Sequence, residues 1–479
     1  MRAFLLTFVL LVASGASAQD LGETSFANSG EADAQEPFLR GLLLLHSFEY
    51  DDARDAFREA QEADAGFAMA YWGEAMTHNH PVWMRQDRDA ALAVLARMEA
   101  NAVEVTPRER DYLRALGFLF DMGEEEQYDK ETRDDRYATA MRALAESYPD
   151  DLDARAFYAL SILGTAHEGR DFTTYMKAAA VAEEVFDANP RHPGAAHYLI
   201  HAYDDPVHAP LGLRPARVYS DIAPAASHAL HMPTHITLAL GMWDEVAELN
   251  ERSYDAARAA SNRRGEELNG HGWHALWWWH YAATQLDDRP LADSLLAVAR
   301  TAAEADFDGS TAQAHIGRIA AQHATAFGDG SVWNRVTESG RGSLSTRAQI
   351  DFARGFDAAM SGDLGRARQI ADRLSEASGE DTAWSVRAAA LALDGLVLIG
   401  EEQTEQGVER LREAAALEAE APLMFGPPSP VIPAHEALGY ALLASGDAAG
   451  AAEAFEVALS RAPNRRQSVR GLALARDAQ

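Results

Sequence analysis

One spacing governs what this chain can fold into: a glycine on a helix-period stretch, then a small residue twelve positions later. It is cleanest between Ile432 and Asn464, where Leu438, Gly439 and Leu442 share one helical face, Gly446-Asp447 marks a turn, Ala451, Phe455 and Ala458 follow, and Pro463 closes the unit. Small residues at Gly439 and Ala451 let two antiparallel helices approach closely, and Phe455 is the residue expected to fill the space between units. The same order runs from Gly41 through Ala53, Phe57 and Ala60, again at Gly355, Ala367, Ala371 and Leu374, and at Gly395, Leu411 and Ala414. Alternating strand patterns are nearly absent, so the prediction is an all-α chain built from repeated helical hairpins.

These units resemble the tetratricopeptide repeat (TPR), a helix–turn–helix of about 34 residues. Weaker copies fall at residues 118–149, 159–190, 193–226, 234–257 and 273–303. The expected fold is an α-solenoid of TPR-like repeats. Residues 37–303 form a first array and 304–346 an irregular helical connection. A second array covers 347–464, and 465–479 forms a solvated capping helix. Ahead of the arrays, Met1-Arg2, an apolar run to Ala13 and the ending Ala16-Ser17-Ala18 read as a cleaved signal peptide over 1–18. That run is too short for the roughly 20 apolar residues of a membrane span. Export to the periplasm or outside the cell is expected, without membrane insertion after cleavage, and the polar residues 19–36 read as a flexible tail.

Composition narrows the function. Acidic residues outnumber basic ones 74 to 42, for a net charge of −32, and such a surface repels nucleic-acid phosphates. Cysteine is absent, which removes disulfides, thiolate metal sites and cysteine nucleophiles. Histidine is the exception: of 17, six fall between His197 and His235. His197 and His201 are four apart, one turn of a helix, so both imidazoles share a face and can reach one ion. Asp204-Asp205-Pro206 ends that helix, and its carboxylates can accept an imidazole N–H behind a ligand. His228, His231 and His235 straddle a helix start at Pro233.

The TPR resemblance implies that positions two, five and nine of each first helix line a concave groove. That places His197, His201, His235 and His274 on one surface, with His78 and His80 at the end of another first helix. Two readings follow. In one, the histidines cap helices and form a polar groove for a protein, peptide or small ligand, lined by Glu74, Asp204, Asp205, His228, Trp277, Tyr281 and Glu436. In the other, His78, His80, His197, His201, His231, His235 and His274 supply ligands for a metal, zinc or copper being favoured by an all-imidazole or imidazole–carboxylate set.

Three stretches also resemble a family of secreted bacterial TPR proteins of mostly unassigned function. They are Ala75-Met-Thr-His78-Asn-His80-Pro81, the block from His197 through Asp204-Asp205-Pro206 to His235, and Phe425-Gly-Pro-Pro-Ser-Pro430 running on to Glu436. The resemblance implies an exported solenoid with a histidine-lined centre and supplies no reaction. Nucleophile-elbow, dinucleotide, P-loop and H-E-x-x-H motifs are missing. A binding protein is therefore the leading expectation. The alternative is a metal-dependent envelope enzyme using Glu74, Asp204 or Glu436 as base.

Overall fold

The computed structural model describes residues 21–101, 105–121, 128–305, 310–335 and 342–479. The expected signal peptide at 1–18 lies outside them. No helix among the described residues is long and apolar enough to cross a membrane. The chain is an all-α solenoid of TPR-like pairs. Gln35–His46 packs on Tyr50–Ala63, Leu152–Leu163 on Phe172–Ala188, Trp384–Gly400 on Thr404–Glu420, and Ala434–Ala444 on Ala448–Arg461. The strands among the described residues are two-residue segments, Asn79–His80 paired antiparallel with Arg85–Gln86.

The glycine spacing has a direct steric cause. A Cβ at Gly41 would stand 2.9 Å from the Phe57 ring, and a Cβ at Gly73, on the next unit's first helix, would also collide with it. Phe57 is thus a wedge between two glycines, each sixteen residues away. Phe455 repeats the arrangement between Gly439, where a Cβ would lie 2.8 Å from the ring, and Gly471 on the last helix. Both phenylalanines are fully buried. At both places one unit is keyed into the next by one aromatic ring against two bare backbones, whereas at Gly355 the neighbour is the Leu393 side chain.

Three sequence expectations are corrected. Residues 21–34 are packed rather than loose. Phe26 is buried, with its ring 5.4 Å from Phe38, 6.1 Å from Trp72 and 5.2 Å from Tyr112, and Ser29 donates through N and Oγ to Glu109 at 2.8 Å each. Two large apolar residues in a polar stretch, Leu21 and Phe26, have no periodicity to announce them, yet both are buried. The connection at 304–346 carries a regular helix, Ser310–Phe327, followed by the 3-10 turn Gly330–Arg335.

The third correction concerns the C-terminal segment. Helix Arg466–Asp477 is largely exposed, but its leading residues dock back onto the middle of the chain. Trp243 Nε1 donates to the Asn464 carbonyl at 2.9 Å, Arg465 Nη1 to the Tyr281 hydroxyl at 3.0 Å, and the Arg466 amide to Gln285 Oε1 at 3.0 Å. The solenoid therefore closes on its own centre.

Replacing the wedge should cost more than an ordinary surface change. Phe57→Ala should destabilise by about 3–5 kcal/mol from lost burial plus cavity, and Gly73→Ala by about 1–3 kcal/mol from overpacking. Thermal and urea melts of the two variants check this, and an unchanged midpoint for both would contradict the wedge.

Candidate metal centre

Four short helices carry the central histidines. Helix Pro193–Ala202 begins with proline in its first turn and His192 as cap, whose Nδ1 accepts the Ala195 amide at 3.2 Å. It presents His197 and His201 on one face. Ser227–His231 and Pro233–Ala239 follow each other with Met232 between, because Pro233 has no N–H to continue the first helix's ladder. Glu49 pins their start, its Oε1 accepting from Ser227 Oγ and the His228 amide at 2.9 Å each. Gly270–Gln285, capped by Asn269, brings His271 and His274, one turn apart.

These elements bring six histidines into two groups. His197, His201 and His228 each offer a nitrogen within 4.8 Å of the others, and so do His231, His235 and His274. In each group two Nε2 atoms face one another at 3.1 Å, His197 with His201 and His231 with His235. Two imidazoles bound to one tetrahedral ion at about 2.0–2.1 Å would stand about 3.3 Å apart. The spacing therefore fits a shared metal.

The outer hydrogen bonds decide which nitrogens are bare. Asn250 donates its amide N–H to the Val246 carbonyl at 2.8 Å, so its Oδ1 is turned to His231 Nδ1 at 2.7 Å and accepts from it. His235 Nδ1 donates to Asp204 Oδ2 at 2.5 Å. With both Nδ1 positions protonated, two Nε2 lone pairs point at each other across 3.1 Å, and a cation must sit between them, a metal ion or a single shared proton. In the other group His197 Nδ1 donates to the His46 carbonyl at 2.7 Å, again leaving Nε2 bare. Buried His228 Nε2 has no hydrogen-bond partner among the described residues.

Burial sets the charge state. It pushes His197 down to about 3 and holds His201, His228, His231 and His274 well below the usual imidazole value, with neighbouring imidazoles adding to the effect in the last four. These five rings are neutral near pH 7, the state a metal ligand needs.

A third group, His46, Asp153 and His192, is assembled differently. The His192 Nδ1 lone pair is used by the helix cap, which puts its proton on Nε2, 3.3 Å from Asp153 Oδ1. His46 Nε2 donates to the same oxygen at 2.9 Å while its Nδ1 pairs with the Tyr198 hydroxyl at 2.9 Å, and Thr24 donates to Asp153 Oδ2 at 2.7 Å. His46 and Thr24 donate to this carboxylate and the His192 Nδ1 is taken by the helix cap, so the group is organised as a structural hydrogen-bond network around Asp153.

The remaining candidates divide. Asp204 accepts from the His235 ring at 2.5 Å, and Asp205 accepts from His208 Nδ1 at 2.9 Å and from Arg170 at 2.8 Å. His78 and His80 belong to neither group. His80 Nε2 is committed to the Thr77 carbonyl at 3.1 Å, and its ring stacks on Tyr50 at 4.0 Å. Glu74 is no groove residue or base, because Arg58, Gln61 and Arg97 surround its fully buried carboxylate. Glu436 is likewise occupied, by two bonds of 2.8 Å from Arg465 and one of 2.6 Å from Ser468. Tyr281 is buried edge-to-face against Trp243 and accepts from Arg465, at the floor of the cleft beside the Pro-rich loop. Trp277 carries the Arg318 guanidinium on its face, 4.9 Å from the ring centroid.

Two site features escape sequence reading. His271 has its ring 4.9 Å from His228, and its spacing of three from His274 was the available signal. The Pro-rich loop 422–433 lies over the centre, with Phe425 5.6 Å from the His235 ring. A cleft beside it is lined by Asp204, Pro206, Trp243, Met424, Phe425 and Arg461.

Two substitutions separate these roles. If the histidines hold a metal, Asp204→Ala should weaken its binding about 10–100-fold by removing the acceptor behind His235, as read by chelator competition. Glu436→Gln should leave metal affinity unchanged and lower the melting temperature, because it breaks a buried ion pair; lost metal affinity would return Glu436 to the site.

No family model and no curated protein matches the chain. Among solved structures it is similar to the APC/C hetero-tetramer Cut9-Hcn1 (13% identity over 94% of this chain and 78% of that one, TM-score 0.39). It is also similar to yeast Tom70 (14%, 93% and 95%, TM-score 0.37) and to the TPR domain of P58(IPK) (13%, 93% and 98%, TM-score 0.25). Likenesses at this level carry no argument about function, and the fold assignment rests on the helix pairing itself.

Proposed function

We propose that the protein is an exported helical-repeat protein that holds a transition metal, zinc or copper, on the histidines at the centre of its array. The observation that carries the reading is the His231–His235 pair. Two Nε2 atoms face each other at 3.1 Å, each made bare by an acceptor fixed behind its ring. An all-imidazole set suits zinc or copper and disfavours magnesium or calcium, which take oxygen ligands. The surface around the centre, with its cleft beneath the Pro-rich loop, is the place for a protein, peptide or small-ligand partner. Nucleic acid is disfavoured by the net charge of −32. Export rests on the N-terminal sequence.

A second reading is favoured by one feature: each group has three histidines, the ligand count of catalytic zinc sites that keep a fourth position open. In that reading the metal activates water or handles a redox step and Asp204 orients a ligand.

Elemental analysis of untagged protein, loaded with zinc or copper and then desalted, tests the proposal. Stoichiometric metal is expected in the wild type and strong loss in His231→Ala/His235→Ala, with circular dichroism confirming that the helices persist. Protein that stays metal-free after loading would overturn it.

A further inference from the structure

We propose that the two histidine groups form one two-metal centre, that His271 is its seventh ligand, and that the two ions share a small bridging oxygen anion, hydroxide. The inference rests on the metal reading above and goes beyond it in stoichiometry, ligand set and exogenous ligand.

The helices argue for one centre. Ser227–His231 supplies His228 to one group and His231 to the other. Gly270–Gln285 does the same from the opposite side, His274 standing 4.6 Å from His231 and His271 4.9 Å from His228, ring to ring. Two i,i+3 pairs therefore straddle both positions, and neither group can shift without moving the other. Across the gap the rings stay close, His201 to His235 at 5.8 Å and His228 to His231 at 6.2 Å. His271 and His274 are only half-buried, while the other five rings are buried, so the centre opens toward the start of helix Gly270–Gln285.

Charge argues for the bridging anion. Every proposed ligand is an imidazole, so two divalent ions would bring their full charge into a buried site. One carboxylate stands directly behind a ligand ring, Asp204 on His235, while Glu49 is held on the His228 backbone amide. A water shared by two ions loses one proton to solvent and remains as hydroxide, which lowers the buried charge with no electron transfer. The buried Nε2 of His228 has no hydrogen-bond partner among the described residues and is available to the first position, with the His271 ring 4.9 Å away.

Copper(II) is the probe, with metal content and electron paramagnetic resonance as readouts. The wild type should hold two coppers per chain with a spin-coupled, weakened signal, and azide should shift its absorption by replacing hydroxide. His197→Ala/His228→Ala and His235→Ala/His274→Ala should each hold one copper with an ordinary uncoupled signal, and His271→Ala should bind the second copper about 10–100-fold more weakly. Two coppers with full, uncoupled intensity, or one copper at saturation, would overturn the two-metal inference and leave the metal reading standing. Unchanged second-site affinity in His271→Ala would remove that residue. Failure to bind either copper or zinc would overturn both readings.

Discussion

The architecture depends on an aromatic ring wedged between two glycines. Phe57 between Gly41 and Gly73, and Phe455 between Gly439 and Gly471, set how closely one helical pair can sit on the next. Close packing makes such contacts unforgiving, since a protein interior has no slack for an added methyl group. At a regular pitch, the first helices of successive pairs stack side by side. Residues far apart in sequence, on Pro193–Ala202, Pro233–Ala239 and Gly270–Gln285, then face one another across a few ångströms. The chain's return onto Trp243, Tyr281 and Gln285 adds a roof, which brings Phe425 over His235.

Within that frame, hydrogen bonds behind the rings separate a structural histidine from a candidate ligand. His46 donates to Asp153 and His192 Nε2 lies 3.3 Å from the same oxygen, while their other nitrogens serve a hydroxyl and a helix cap. His231, His235 and His197 do the reverse, directing Nδ1–H outward to Asn250, Asp204 and a backbone carbonyl. Both kinds are buried and both come from the same helical stack. The two sets diverge because one gathers around an anion, Asp153, and the other turns Nε2 atoms toward one another. Desolvation acts on both sets alike, lowering His46 to about 4 as well as His197 to about 3, so the hydrogen-bond arrangement and not burial separates them.

Much of this was legible from one dimension. The twelve-residue step at Gly439 and Ala451 marks helices that touch, because a close crossing demands small side chains at fixed spacing. The His197/His201 pair follows from the helical period, and Asp204 was identifiable as a carboxylate within reach of an imidazole. Other features were not legible for physical reasons. Phe26 carries no period, Asn250 is an unremarkable polar residue on the helix Trp243–Arg264, and His80 differs from His231 only in where its neighbours lie. Glu436 and Glu74 look like free acids in sequence, yet arginines brought in from Arg465, Arg58 and Arg97 occupy them.

By itself, then, the sequence determined the local order: helices from apolar period and caps, their pairing from small residues, and a histidine density too high for ordinary surface use. These are properties of neighbours along the chain, governed by helical geometry and side-chain size. Only the tertiary structure decided which histidines meet, which nitrogen each leaves bare, and that the Pro-rich loop covers them. Those outcomes depend on contacts between segments separated by tens to hundreds of residues, such as His46 with His197 or Phe425 with His235. A lone pair's direction is set by the partner on the far side of the ring, and that partner comes from another helix.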